Sequence, residues 1–297
     1  KDFLMFLNLY KAILDRDVMK KAPLISVNLP TYNGAQTIRQ ALDSVKKQTY
    51  KNYEIVIVDH YSTDGTIEIA KSYTDKVYLD RGRLLSSRKI GIFKSEGELI
   101  LFLSCDQILE PTALQRIADT FMQQDIDMAI TEERSYNPQT WVEKLTDIDR
   151  KTFHEEFELD PCKSVLLPSV FKKELLMKIY PKFRQELLDT VTIHDHAITY
   201  YEAWKLSHKV GVVPRVYFHQ EPKTARELFE HYISWGKRSH AVDGILDDEY
   251  KKMFDSKMRH RLKNIRWFHG DSIRRLPIIF IKGLGFTIGR RMPQKKN

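Results

Sequence analysis

Residues 25–66 run ISVNLPTYNGAQTIRQALDSVKKQTYKNYEIVIVDHYSTDGT, and their pattern decides the fold. A short apolar run bounded by turn residues predicts a buried strand over LISVNLPTY, followed by a helix over Ala35–Gln48. YEIVIVDH is a second buried strand, leading through YSTDGT into a helix from about Asp64. The alternation continues with a short strand KVYLD, a helix near Leu84–Ser95, the strand ELILFLS, a helix from Pro111 to Gln124 and the strand DMAITEE. Strands that alternate with helices imply parallel βαβ units and an α/β fold with a doubly wound, mostly parallel sheet. Ligands of such sheets sit beyond the carboxyl ends of the strands. Function is therefore expected at Pro30–Asn33, Asp59–Ser62, Asp80–Arg83 and Ser104–Gln107.

The second half is less regular. SVLLPSVF suggests a strand, DHAITYYEAWKLSH a helix, and KVGVVPRVYFHQE a further strand in which Pro214 implies an edge or a bulge. The remainder is expected to be helical. The opening segment places Phe3, Phe6, Leu7, Tyr10, Ile13 and Leu14 on one helical face. That implies an amphipathic N-terminal helix over 1–21 that packs on the body or lies on a membrane surface. The expected division is this helix, a catalytic domain over 22–222 and a basic helical extension over 223–297.

With 42% hydrophobic and 30% charged residues the chain is globular in composition. Its net charge of +8 is unevenly placed: residues 257–297 hold twelve Lys/Arg against Asp271 alone, or +11, leaving about −3 elsewhere. A basic end of this kind suits an anionic partner, nucleic acid or phospholipid. Within it, SIRRLPIIFIKGLGFTIGRRM brackets an apolar centre, 276–288, with Arg274-Arg275 and Arg290-Arg291. The centre is too short to span a bilayer but suits the interface, with Arg reaching headgroups, over 272–292. A nucleic acid would explain the charge but not the apolar centre, so no nucleic-acid partner is expected. No signal-peptide pattern and no run of 18 apolar residues is seen. Cys105 and Cys162 lie far apart, without metal-ligand spacing, and suit a reducing compartment. The expected location is cytoplasmic, peripheral at the inner face of the membrane.

No GxGxxG follows the first strand, against a dinucleotide oxidoreductase, and no GxxxxGK[ST] phosphate loop occurs. Taken together and in order, the strand ends resemble the nucleotide-sugar half of the family 2 glycosyltransferases, over roughly Leu24–Gly236. The family's signatures are a PTYN loop, a VDDGSTDGT loop, an aRNxG helix start, a DxD acidic motif and a later Glu-Asp pair. The resemblance implies the GT-A fold and an inverting transfer of sugar from a nucleotide-diphosphate donor to a lipid-linked or glycan acceptor. By the same resemblance Pro30, Thr31 and Tyr32 line the base pocket, and Asn33 and Cys105 are counted with it. Asp59 matches the first acid of the second loop; His60 replaces the next, which commonly meets a uracil edge. Arg88 matches the Arg of aRN and would pair with Asp59 or approach the phosphates, while Lys89 replaces the Asn.

Asp106 matches the last acid of DxD, with Ser104 in place of the first and Gln107 where another acid often follows. A departing diphosphate needs its charge neutralised, and hard oxygen ligands suit Mn²⁺ or Mg²⁺. One carboxylate with phosphate oxygens and water suffices for such an ion. His219, at the end of VYFHQE, stands where many GT-A enzymes place a metal-binding His. The Glu-Asp pair is matched by His194-Asp195, so Asp195 is the expected general base, with His194 or His196 as substitutes. Glu132 and Glu133 fall near the acceptor side. Two other assignments share parts of the pattern. Departures at His60, Lys89, Ser104, Gln107 and His194 suit a non-catalytic nucleotide- or glycan-binding subunit, although Asp106 and Asp195 remain. A sugar nucleotidyltransferase would use the same sheet but wants a Gly- and Lys/Arg-rich loop that PTYNGAQT lacks.

Overall fold

The computed structural model describes residues 21–155, 158–264 and 271–293. The expected N-terminal helix, 1–21, lies almost wholly outside them. An eight-stranded sheet has the order β3-β2-β1-β4-β7-β6-β8-β5. Its strands are β1 (Ile25–Thr31), β2 (Tyr53–Asp59), β3 (Val77–Leu79), β4 (Leu99–Phe102), β5 (Gln107–Leu109), β6 (Met128–Ser135), β7 (Pro168–Lys172) and β8 (Val210–His219). β1, β2, β3 and β4 are parallel, as are β6 and β8, while β7 and β5 run against their neighbours. The helices of the first half are α1 (Ile38–Lys46), α2 (Thr66–Lys71), α3 (Leu84–Lys94) and α4 (Ala113–Gln123). Then follow α5 (Trp141–Glu155), α6 (Lys173–Ile179), α7 (Gln185–Thr190), α8 (Asp195–Trp204), α9 (Ala225–Val242), α10 (Asp248–Asn264) and α11 (Asp271–Arg291).

Side chains alternate across a strand, and β4 shows how this builds two cores. Leu99 and Leu101 join Val27, Leu42, Leu114 and Ile117 on one face. Ile100 and Phe102 join Leu85, Phe171, Leu176 and Ile198 on the other. Register then aligns the strand ends. Thr31 pairs with Asp59 and Asp59 with Leu79, so the loops after β1, β2 and β3 leave at one level. β5 was not expected; it pairs Gln107 with His219, which brings Asp106 beside the end of β8. The bulge expected at Pro214 is present: β8 slips against β6 after Thr131, Arg215 takes φ 48°, and its N–H donates to Glu132 Oε2 at 2.9 Å.

The C-terminal helices are integral to the body. Ile278 of α11 is fully buried with Val142 of α5 and Leu228 of α9. Arg275 and Lys282 of α11 both pair with the buried Asp149 of α5, at 3.2 and 2.8 Å. Arg290 pairs with Asp243. Of the four arginines expected to bracket the apolar centre, Arg275 turns inward and Arg290 is tied to the end of α9, while Arg274 and Arg291 are exposed. Between them the outward face of α11 is apolar, with Phe280, Leu284 and Ile288 exposed, as is Ile273 beside Arg274.

α9 and α11 meet backbone to backbone. A Cβ on Gly289 would lie 2.1 Å from Ile233 O, and one on Gly236 would lie 2.2 Å from Phe286 O. Gly283, on the same helix, has nothing within 4 Å of that position. Gly289→Ala is therefore expected to destabilise by about 1–3 kcal/mol through overpacking. Gly283→Ala is expected to stabilise by up to about 1 kcal/mol through helix propensity. Urea unfolding of the two variants checks this; equal effects would remove the close seam.

Candidate active site

The loops leaving β1 and β2 are joined by side chains that PTYN and STDGT supply. Asn33 N–H donates to Ser62 Oγ at 2.8 Å, and Thr63 N–H donates to Asn33 Oδ1 at 3.0 Å. Gly34 N–H reaches Thr66 Oγ1 at 2.9 Å and Ala35 N–H reaches Asp64 Oδ2 at 3.0 Å. Asn33 takes φ 46°, a left-handed conformation that Asn tolerates better than most residues. Its side-chain carbonyl thus clamps the loops. Asp59 is buried and accepts from Ser62 N–H at 2.7 Å and from Ser62 Oγ at 2.6 Å. It shapes its loop and does not meet Arg88, as the sequence had implied. Cys105 packs beneath Gly34, whose Cβ would lie 3.1 Å from the sulfur. Burial and then the Asp106 charge push its thiol up to about 11, so it remains protonated.

Above this clamp, Pro30 and Thr31 are buried while the Tyr32 ring is 60% exposed. Tyr32 and His60 form a T-shaped pair, centroids 5.2 Å apart. His60 Nδ1 lies 2.9 Å from Asp80 O, a carbonyl that can only accept. The Nδ1–H tautomer follows, and Nε2 becomes an acceptor 3.4 Å from Arg83 NH1. An exposed aromatic face next to an acceptor and a guanidinium donor suits a nucleobase. Arg83 closes the Asp80–Arg83 stretch after β3 where function was expected, although no motif gave it a role.

Asp106 and His219 meet at 3.3 Å, Oδ2 to Nε2. Burial opposes ionisation of Asp106, but the charge and hydrogen bond of His219 outweigh it and hold its pKa at about 2. Burial likewise opposes the His219 charge, yet Asp106 lifts it to about 9. Behind them Arg150 of α5 pairs with both Glu133 and Glu221, and Glu133 Oε1 accepts from Gln107 Nε2 at 2.9 Å. Those acids are committed to Arg150, and among the described residues no three His, Cys, Asp or Glu converge on a point. A two-donor set remains. Its 3.3 Å separation is near the roughly 3 Å spacing of adjacent ligands around an octahedral ion with bonds of about 2.1 Å. Asp106 and His219 fit such an ion once His219 gives up its Nε2 proton, with phosphate oxygens and water completing the set. The Arg150 network was not foreseen, because α5 has no motif linking it to the sheet.

Arg88 is 1% exposed and joins three elements. Its Nε donates to Asp195 Oδ2 at 3.3 Å, and NH1 donates to Asn28 O at 2.8 Å and Leu103 O at 3.3 Å. NH2 faces His196 Nε2 at 3.4 Å, and the guanidinium lies 4.4 Å over the Phe102 ring. Gly91 lets α3 approach β1 closely enough for this, since a Cβ there would lie 1.9 Å from Asn28 Nδ2. Arg88 is thus a buried partner of Asp195 and not a residue of the phosphate site. His196 Nδ1 lies 3.3 Å from Pro168 O, so its Nε2 is the acceptor facing Arg88. His194 stands at φ 70° and turns away, with Nε2 3.1 Å from Ser239 Oγ and its ring 4.8 Å from Phe254. Of the candidate bases, Asp195 alone combines a carboxylate with this fixed setting.

The model of glycosyl transferase family 2 matches residues 26–192, more than half of the chain. An uncharacterised glycosyltransferase of Rickettsia typhi is 41% identical over 97 residues, 32% of this chain and 30% of its own length. Glycosyltransferase GlyA of Streptococcus pneumoniae is 26% identical over 180 residues, 55% of this chain and 26% of that protein. The chain thus spans about a third or less of these curated relatives. Two solved structures share the fold. Residues 1–349 of TarS from S. aureus align with a TM-score of 0.53 at 18% identity, covering 90% of this chain and 81% of that one. The mannosyltransferase PcManGT from Pyrobaculum calidifontis, solved with GDP-Man and Mn²⁺, aligns with a TM-score of 0.53 at 17% identity, covering 95% and 82%.

Burial first, then the charges of Lys257 and Arg290, push His194 down from 6.5 to about 4, against Asp195 and Asp243. The unfolded chain therefore binds a proton that the folded chain refuses, and stability falls as the pH drops from 6.5 to about 4. His194→Asn, which tolerates the left-handed backbone, should lower the slope of Tm against pH across that window alone. An unchanged slope would mean that the imidazole titrates normally.

Proposed function

The chain belongs to glycosyl transferase family 2, and from that premise we propose an inverting, metal-assisted transfer of sugar from a nucleoside diphosphate donor to the hydroxyl of a lipid-linked or glycan acceptor. The observation that carries the donor half is the common rim formed by register. It places Tyr32 and His60 at the ends of β1 and β2, and Asp106 with His219 at the turn into β5 and the end of β8. The base stacks on Tyr32 and meets His60 Nε2 and Arg83 along its edge. Asp106 and His219 would hold Mn²⁺ or Mg²⁺, whose chemistry when bound is to neutralise the departing diphosphate. The Mn²⁺ and GDP-Man of PcManGT support this assignment by analogy of fold.

Asp195 receives the proton of the acceptor hydroxyl as that oxygen attacks the anomeric carbon from the face opposite the diphosphate. Attack from that side inverts the centre. Arg88 holds the carboxylate by Oδ2, so the base is oriented before the acceptor arrives. The apolar outer stripe of α11 supports a seat on the cytoplasmic face of a membrane, where a lipid-linked acceptor would be presented. No helix among the described residues is long and apolar enough to cross one.

The donor is tested by thermal shift with UDP-, GDP-, dTDP- and CMP-sugars, each with and without Mn²⁺ or Mg²⁺. Ligand specific to the folded state stabilises by RT ln(1 + [L]/Kd), so one base should raise Tm and need the metal to do so. No shift with any pair would overturn the donor assignment. Asp106→Ala should abolish the metal-dependent part of the shift. Asp195→Asn should keep the shift yet lower transfer by about 10²–10⁴-fold; full activity in that variant would move the base elsewhere.

A further inference from the structure

His194, the residue before the proposed base, stands at φ 70°, a left-handed conformation that a residue with a β-carbon adopts only at a cost. Such a conformation persists where its surroundings hold it. His194 is the N-cap of α8, its carbonyl accepts from Ile198 N–H at 2.9 Å, and Asp195 is the first residue inside that turn. The main chain of Asp195 therefore follows His194, while Arg88 fixes only the carboxylate.

Three helices beyond the family-matched stretch 26–192 converge on the His194 ring. Its Nε2 lies 3.1 Å from Ser239 Oγ of α9, and the ring centroid lies 4.8 Å from that of Phe254 of α10. Arg290 of α11 donates from NH1 to the same Ser239 Oγ at 3.2 Å and from NH2 to Asp243 Oδ2 at 2.5 Å. Ser239 is 4% exposed, so bulk water does not compete for its hydroxyl. A guanidinium only donates, so Ser239 Oγ accepts from Arg290 and keeps its own proton for His194. Burial, the largest influence on the imidazole, lowers its pKa to about 4 and leaves Nε2 free to accept. The hydrogen bonds thus run one way, from Arg290 to Ser239 and from Ser239 to His194.

We propose that Ser239 is a positioning residue for sugar transfer: held by Arg290, its hydroxyl fixes His194 and through it the main chain of Asp195, which couples α11 to the base. The proposal rests on the reading of Asp195 as the base of a glycosyltransferase. Ser239 touches no reacting atom and acts through its neighbour. Tyr32 with His60, and Asp106 with His219, are held by other contacts, so donor binding lies off this route.

Two readouts on the full chain test the coupling. Hydrogen exchange followed by mass spectrometry needs neither donor nor acceptor. Ser239→Ala should raise exchange about tenfold or more in peptides covering the first turn of α8 and leave α5 as in the parent. Turnover is read as nucleotide released from UDP-, GDP-, dTDP- and CMP-sugars with water as the acceptor. Ser239→Ala should lower kcat about tenfold with the donor KM unchanged. Ser239→Cys, which keeps the side chain but makes only weak hydrogen bonds, should lose about as much. Arg290→Gln should lose less, and the double variant Ser239→Ala with Arg290→Gln no more than Ser239→Ala alone, because the two act in series. Parent-like exchange in Ser239→Ala, a loss carried by KM, full kcat in Ser239→Cys or multiplying losses in the double variant each overturn the proposal. Full turnover in Ser239→Ala beside an inactive Asp195→Asn is a failure of this coupling alone. Full turnover in Asp195→Asn is a failure of the base assignment, so the two are told apart.

Discussion

The buried pair of Arg88 and Asp195 is the constraint on which the centre of the molecule depends. A guanidinium withdrawn from water is tolerated only when its donors are matched and its charge is paired. Here the matching groups come from β1, from the residue after β4, from α8 and from the ring of Phe102. Those elements are far apart in the chain, so satisfying one side chain fixes their mutual position. The outcome is a carboxylate at the start of α8, delivered to the carboxyl ends of the central strands. In the proposed mechanism Arg88 acts only through the placement of Asp195.

A second charged network serves the other side of the site. Arg150 balances Glu133 and Glu221 behind His219, and the preceding residue, Asp149, balances Arg275 and Lys282 from α11. Consecutive residues of α5 thus tie the C-terminal helix and the metal-fitting pair to one frame. The basic surplus of the chain's end is partly drawn inward by this arrangement. What faces outward on α11 is an apolar stripe with the exposed Arg274 and Arg291 toward its ends.

Much of the fold was legible because the strands after residue 24 are apolar, short and separated by helical periods. Asp59 and the STDGT turn were legible as a motif, and their structural work as a loop clamp follows from local hydrogen bonds. Other features were not legible, for reasons that can be named. β5 has three residues and makes its ladder only with β8, more than a hundred positions away. Arg88 looked like a residue of the phosphate site, because nothing near it in sequence announces Asn28, Leu103 or Asp195 as partners. His194 looked like a possible base until its positive φ turned the ring toward α9 and α10.

The sequence by itself determined the alternation of strands and helices, and its loop motifs carried the resemblance to the family 2 glycosyltransferases. The alternation follows from local periodicity; the residue types offered for metal and proton chemistry follow from the resemblance. Tertiary structure alone decided which charges are paired. It gave Asp195 to Arg88, His219 to Asp106, and Arg275 and Lys282 to Asp149. The physical reason is that the energy of a charge depends on its burial and on partners brought by distant segments, and neither is encoded within a turn or two of the residue itself.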